Sequence, residues 1–221
     1  MSDRIYAVLT GDLVKSTKLS AEELEQARAT AQSGAVNVQT WRPGLIERDL
    51  EFFRGDSWQL LLMDPALALR AAIYLRAILR SAVDVDTRIA IGIGRVEAID
   101  PTRVSLSSGE AFTLSGRALD HLAASKRMTI ALPARVSQLG PWMPVVAELC
   151  DGIIADWQRR QAEIVSVALS PDAPSQEEIA RRLKDPLTQQ AVAKSLHGAR
   201  LQGLMSAISQ FESTPWAETC D

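Results

Sequence analysis

Cysteine is scarce in this chain: Cys150 and Cys220 are the two among 221 residues, and they lie far apart. They build no disulfide framework and no metal or redox motif, and a reducing cytoplasm suits them best. Cys150 is expected to be an inert buried thiol. Histidine is as rare, and neither His121 nor His197 has partner ligands at metal spacing. Charge of one sign is lacking too. A formal net charge of −3 gives no global attraction to nucleic acid, so any DNA contact must rest on a local patch. Long apolar runs are missing: the longest, Pro65 to Leu79, is broken by Arg70 and Arg76, which excludes a membrane span. The N-terminal run Ile5 to Leu9 is too short for a signal-peptide core, and no internal repeat or low-complexity segment is present. What remains is 47% hydrophobic and 23% charged, the make-up of a folded, water-soluble chain with room for one large domain or two small ones.

The apolar pattern predicts a strand over 4–10 and, after the capping box Ser20-Ala21-Glu22-Glu23, a helix to about Thr40. Leu50 to Phe53 and Trp58 to Met63 flank Arg54-Gly55-Asp56-Ser57, a hairpin signal. Asp64-Pro65 opens a helix with Leu67, Ala71, Tyr74, Leu75 and Ile78 on one face and Arg70, Arg76 and Arg80 pointing elsewhere. A strand over 87–96, a helix from Ser108-Gly109-Glu110 through Ala124 and a short strand over 128–132 follow. This is the β-α-β-β-α-β order of a ferredoxin-like split βαβ unit, which sets the third strand between the first and second, antiparallel to both.

That topology gives the two Gly-Asp dipeptides their interest. Asp12 closes the first strand and Asp56 sits in the hairpin turn, so the fold juxtaposes them. Paired carboxylates at adjoining strand ends suit Mg²⁺ or Mn²⁺ held against a phosphorylated ligand. Ser16 and Thr17 add hydroxyls and free N–H groups for phosphates, and Arg54 at the hairpin tip is an equally good phosphate contact or solvated charge. Taken singly, each Gly-Asp reads as plain turn chemistry. Trp58 reads as core.

From Leu139 the texture changes. Gly140-Pro141-Trp142-Met143-Pro144 and Asp151-Gly152 suggest a hinge, followed only by helical patterns. Helices are predicted over 157–169, from the capping box at Ser175 to Leu183, and from Thr188 through Arg200. Ile179, Ala180 and Leu183 would face Val192 and Leu196 across a tight turn, the spacing of a helix-turn-helix. Its second helix would present Gln189, Gln190, Lys194, His197 and Arg200 to base edges and phosphates, with no acidic residue among them. The bland alternative is a helical hairpin that only packs or dimerises. Seven Lys and Arg against ten Asp and Glu over 151–221 leave it open.

Residues 6–17, 53–59, 88–96 and 109–119 resemble the catalytic-domain blocks of class III nucleotide cyclases. The resemblance implies metal-binding roles for Asp12 and Asp56 and likens Arg88-Ile89-Ala90-Ile91-Gly92-Ile93-Gly94 to the family's Arg-x-Gly-Ile-x-x-Gly strand. It puts the transition-state asparagine at Thr113 and its arginine partner at Arg117. The base-recognising lysine falls on Phe52, which cannot hydrogen-bond a purine. Metal and phosphate functions look kept and base selection lost or altered. It also implies a homodimer, since sites in that family form between two such domains. Over nearly the whole chain, Gly-Asp-Leu-Val-x-Ser, Gly-Asp-Ser-Trp-Gln, Gly-Ile-Gly and Ser-Gly-x-Ala-Phe with a helical tail resemble the SatD family, a cyclase-like domain joined to a helix-turn-helix.

The expectation is therefore an α/β (α+β) protein: a ferredoxin-like, class III cyclase-type domain over 1–140, an all-helical helix-turn-helix domain over 141–213 and a flexible acidic tail over 214–221. It would be a cytoplasmic, DNA-binding regulator that senses a nucleotide or phosphorylated small molecule with Mg²⁺ or Mn²⁺, away from membranes. The alternatives are an active nucleotidyl cyclase or related phosphoryl-transfer enzyme, and a purely structural module.

Overall fold

A computed structural model describes residues 4–220. Its centre is a five-stranded sheet of order β2-β3-β1-β4-β5. The strands are β1 (Ile5–Leu13), β2 (Glu51–Phe53), β3 (Ser57–Leu62), β4 (Thr87–Arg95) and β5 (Met128–Ala131). β3 lies between β1 and β2 and is antiparallel to both, β4 is antiparallel to β1, and β5 is parallel to β4. β1 has packed cores on both of its faces, so it is apolar on both. Ile5, Ala7 and Leu9 join the large core, while Tyr6 and Val8 join a smaller one with Leu61, Ala111 and Phe112.

Two helices cover the large-core face, α1 (Ala21–Gln39) and α2 (Ala68–Val83), and α3 (Glu110–Asp120) covers the other. The local signals set their starts. Ser20 and Glu23 form the reciprocal capping box of α1, and Asp64 accepts from the Ala66 N–H ahead of a short 3₁₀ turn leading into α2. β1 runs on to Leu13, so Asp12 lies inside the strand rather than after it. α3 stops at Asp120, short of the predicted Ala124.

The helices beyond the sheet are α4 (Met143–Ala155), α5 (Arg159–Ala168), α6 (Gln176–Arg182), α7 (Gln189–Gly198), α8 (Leu201–Glu212) and α9 (Trp216–Thr219). Two expectations change here, the hinge and the tail. The hinge predicted at 140–152 is mostly helix: Pro144 falls in the first turn of α4, where a missing N–H costs nothing, and Asp151-Gly152 lies inside it. The arginines of α2 point away from its apolar face, as expected, and Arg70 and Arg76 enter a second helical layer. Arg76 is wholly buried between Asp86 and Asp151, and Arg70 is held by Glu212 and the Leu169 carbonyl. The predicted flexible tail instead folds into α9, with Trp216 buried and its Nε1 donating to the Phe211 carbonyl; Asp221 lies outside the described residues.

One hydrophobic cluster joins Leu9, Leu75 and Ile91 to Cys150, Trp157 and Ile208, so sheet and later helices share a core. A satellite cluster holds Ile164, Ala168, Ile179, Ala180, Leu183 and Val192, which packs α5, α6 and α7 together. Among the described residues no helix is long and apolar enough to cross a membrane.

Candidate functional site

The register brings the site together. Asp12 of β1 stands opposite Ser57 of β3 on one side and Arg88 of β4 on the other. The Leu13 N–H donates to the Asp56 carbonyl at 3.2 Å, which ties the hairpin turn to the end of β1. Beyond Leu13 the chain turns through Lys15, in a left-handed conformation (φ 57°), into a 3₁₀ turn over Ser16–Lys18. Asp12, Ser16, Thr17, Asp56, Arg88 and Arg127 thereby line one cleft of about 370 Å³, with Lys15 at its rim.

The two Gly-Asp glycines serve different ends. Gly55 sits in the hairpin turn at φ 87°, where only glycine is at ease, and Arg54 before it is also left-handed. Gly11 allows close packing: a Cβ there would lie 2.5 Å from the Trp58 ring and from the Arg88 carbonyl. Trp58 is core, as the sequence suggested. Its Nε1 donates to Thr87 Oγ1 at 3.0 Å, and that hydroxyl donates to the Asp12 carbonyl at 2.7 Å.

Both aspartates are engaged. Arg88 grips Asp12 through two nitrogens, with Nε 2.9 Å from Oδ1, and Ser16 Oγ donates to Asp56 Oδ2. The Asp12 hydrogen bonds raise the Arg88 pKa above the ordinary arginine value, against a smaller desolvation effect, and the fields of Asp56 and Asp120 add to the rise. Arg88 was legible only as the first residue of a strand motif. Its place opposite Asp12 follows from register, which no local signal announces.

Some predicted residues stay outside the cleft. Arg54 is exposed at the hairpin tip. Thr113 and Arg117 are exposed on α3; Thr113 Oγ1 donates to the Gly109 carbonyl, and neither residue lines the cleft of its own chain. Phe52 is half-buried against the core, with the Arg28 guanidinium 5.8 Å from its ring centroid. On α7, capped by Thr188 Oγ1 accepting from the Ala191 N–H, the side chains of Gln189, Gln190, Lys194 and His197 are exposed, as is Arg200 just beyond it. Both thiols are buried, and burial pushes Cys150 and Cys220 each up to about 11, so neither is a nucleophile near neutrality.

Among the described residues no group of three or more His, Cys, Asp or Glu is placed to hold a metal. What the cleft offers is two carboxylates and two hydroxyls, all hard oxygen donors. Such a set fits Mg²⁺ or Mn²⁺ only when ligand phosphates complete the coordination, a common arrangement for Mg²⁺. Asp12 and Asp56 would hold the ion, which would screen phosphate charge, and Arg88 would have to release Asp12 in exchange.

No family model matches this chain, and no curated protein matches it. Among solved structures, the guanylyl cyclase Cya2 is similar at 20% identity and a TM-score of 0.42, over 58% of this chain and 75% of that one. Likeness at that level leaves function to be argued from the residues themselves.

Proposed function

We propose that this chain is a DNA-binding regulator whose sheet-centred part, to about residue 140, binds a nucleotide or other phosphorylated ligand with a divalent cation. The reading matches the resemblance to SatD-type and cyclase-type sequences. The observation that carries it is the cleft itself: Asp12, Asp56, Ser16, Thr17, Arg88 and Arg127 converge from four separate stretches of chain. Carboxylates beside arginines and hydroxyls suit a phosphate that arrives with its own cation. In the helical part, over 141–213, α6 and α7 act as a helix-turn-helix that offers Gln189, Gln190, Lys194, His197 and Arg200 to DNA. These side chains are exposed, and α7 carries no acidic residue. The working form is a cytoplasmic homodimer, whose two-fold symmetry would match a palindromic site.

A second reading, a nucleotidyl cyclase or related phosphoryl-transfer enzyme, is favoured by the proximity of Asp12 and Asp56. In that case Thr113 and Arg117 would complete the site across a dimer. Phe52 weighs against it, packed where a base-reading group would be needed.

The test is calorimetric titration with each nucleoside triphosphate, with and without Mg²⁺ or Mn²⁺, alongside Asp12→Asn, with products analysed by mass spectrometry. Saturable binding of intact nucleotide that Asp12→Asn weakens supports the sensor. Turnover to a cyclic nucleotide or pyrophosphate makes the protein an enzyme, and no binding under any condition removes both readings. Mobility-shift assays on random duplexes with Lys194→Gln then test the DNA face. Uniform weakening across sequences, and a salt slope smaller by about 0.9, are expected for a lost phosphate contact.

A further inference from the structure

The cleft does not end at Arg127. A second hollow of about 500 Å³ adjoins it, sharing Val14, Lys15 and Arg127, and is walled beyond them by Arg80, Lys126 and the outer face of α4. Every carboxylate on its lining is already satisfied from within the protein. Asp86 is held by Arg76 and Arg80, Asp151 by Arg76 and the Arg127 N–H, and Glu148 by Lys126. Two of its four cations are not so paired. Lys15 and Arg127 have no carboxylate partner among the described residues, and Arg127 Nη1 donates only to the carbonyls that end the preceding turn, Ala124 and Lys126. Arg80 is engaged by Asp86 and by the Ala155 and Trp157 carbonyls, so it would add its charge, and a direct contact only by giving up one of these. The hollow therefore holds two cations without a carboxylate, Lys15 and Arg127, and an excess of positive charge, four Lys and Arg against three carboxylates, beside a cleft that suits phosphate.

We propose that this hollow is a second phosphate subsite, so that the ligand carries at least two phosphate groups, one in the Asp12–Asp56 cleft and one against Arg127, Lys126 and Arg80. This rests on the phosphorylated-ligand reading of the cleft and extends it to a ligand class: a di- or triphosphate, or a doubly phosphorylated small molecule. Arginine suits the role because its planar fork binds phosphate oxygens in pairs. The subsite also reaches the helical part. Arg80 donates to the carbonyls of Ala155 and Trp157, at the joint between α4 and α5, so a phosphate that engages Arg80 competes with that tie.

The rival description is a solvated basic notch in which Lys15 and Arg127 only face water. Inorganic tripolyphosphate separates the two, because it carries phosphates without a base or sugar. The full-length chain is titrated with it, with and without Mg²⁺, as wild type, Arg88→Gln and Lys126→Gln. Lys126 lines the second hollow and not the cleft, and its pair with Glu148 is solvent-exposed, so Lys126→Gln should melt like wild type. The subsite predicts that both variants bind tripolyphosphate about ten-fold more weakly, the worth of a lost charge-assisted hydrogen bond. Weakening by Arg88→Gln with Lys126→Gln unchanged overturns the subsite and leaves the cleft reading standing. Weakening by Lys126→Gln alone keeps the hollow as an anion site and overturns the cleft as its partner. Absence of binding to wild type overturns both.

Discussion

A methyl group at Gly11 has nowhere to go, since the Trp58 ring and the Arg88 carbonyl both stand 2.5 Å from where it would lie. Gly11→Ala should therefore cost about 1–3 kcal/mol through overpacking. It should also loosen the Asp12–Arg88 pairing, because the same strands carry both. Urea unfolding followed by tryptophan fluorescence checks the first effect, and tripolyphosphate affinity checks the second. Arg76 is a different single-residue case. Its side chain is 0% exposed and bridges Asp86 at 2.8 Å and Asp151 at 2.7 Å. Burial alone would lift the Asp86 carboxyl, but the Arg76 hydrogen bonds and charge outweigh it and hold Asp86 below the usual carboxylate range. Removing the guanidinium leaves Asp86 to Arg80 and the Thr87 N–H and Asp151 to the Arg127 N–H alone, so Arg76→Leu should lose about 3 kcal/mol at neutral pH, the low end for a broken buried pair. The pH dependence follows from the depressed value. The stabilisation is fully present above the unfolded-state pKa of about 4 and is lost as pH falls through the folded one. Wild type should therefore weaken steeply below about pH 4, and Arg76→Leu should show less of that acid dependence in melting curves taken across the range.

At the scale of elements, α7 depends on a cap and on one buried contact row. Thr188 Oγ1 accepts from the Ala191 N–H at 3.2 Å, and Val192 is the fully buried residue of the helix. Thr188→Ala should cost about 1 kcal/mol of local stability. Because α7 sits in a satellite cluster, the loss should appear as faster amide exchange in residues 189–198, with a small change in the global midpoint. Caps of this kind, at Ser20, Asp64, Ser175 and Thr188, were legible because the partners lie two or three residues apart. The hairpin and the approach of Asp12 to Asp56 were legible because apolar alternation and turn residues fix the order of the strands. α4 was not, since Pro144 and Gly152 carry breaker signals whose meaning depends on position in the turn, and Asp151 is stabilised there by Arg76 from a distant helix. That Arg70 and Arg76 leave the apolar face of α2 was legible, but the carboxylates they meet come from residues far away in sequence. Arg88 and Arg127 enter the cleft through β4 register and the start of β5, relations between strands that are far apart in sequence.

On the scale of the whole molecule, the sheet and the later helices are joined by charge as well as by core. Arg70 of α2 is held by Glu212 of α8 at 2.6 Å, and Arg76 by Asp151 of α4. The same hydrophobic cluster runs from Leu9 and Ile91 through Ala147, Val165 and Leu204. A chain cut after residue 140 would keep both arginines and lose both of those carboxylates, while baring the α2 face that Val165 and Leu169 help to cover. The arginines would lose those ties to the later helices, and each uncovered Leu or Ile forfeits about 1.5–3 kcal/mol, against a total stability of about 5–15 kcal/mol. Residues 1–140 alone are therefore expected to remain unfolded or collapsed, with no cooperative melt by circular dichroism. The full chain should unfold in one main transition in which tryptophan fluorescence and far-UV circular dichroism coincide. Two separated transitions would mean that the shared core is weaker than these contacts imply. A single transition would place any ligand effect on α6 and α7 in local ties such as Arg80 to the α4–α5 joint, without a swing between independent domains.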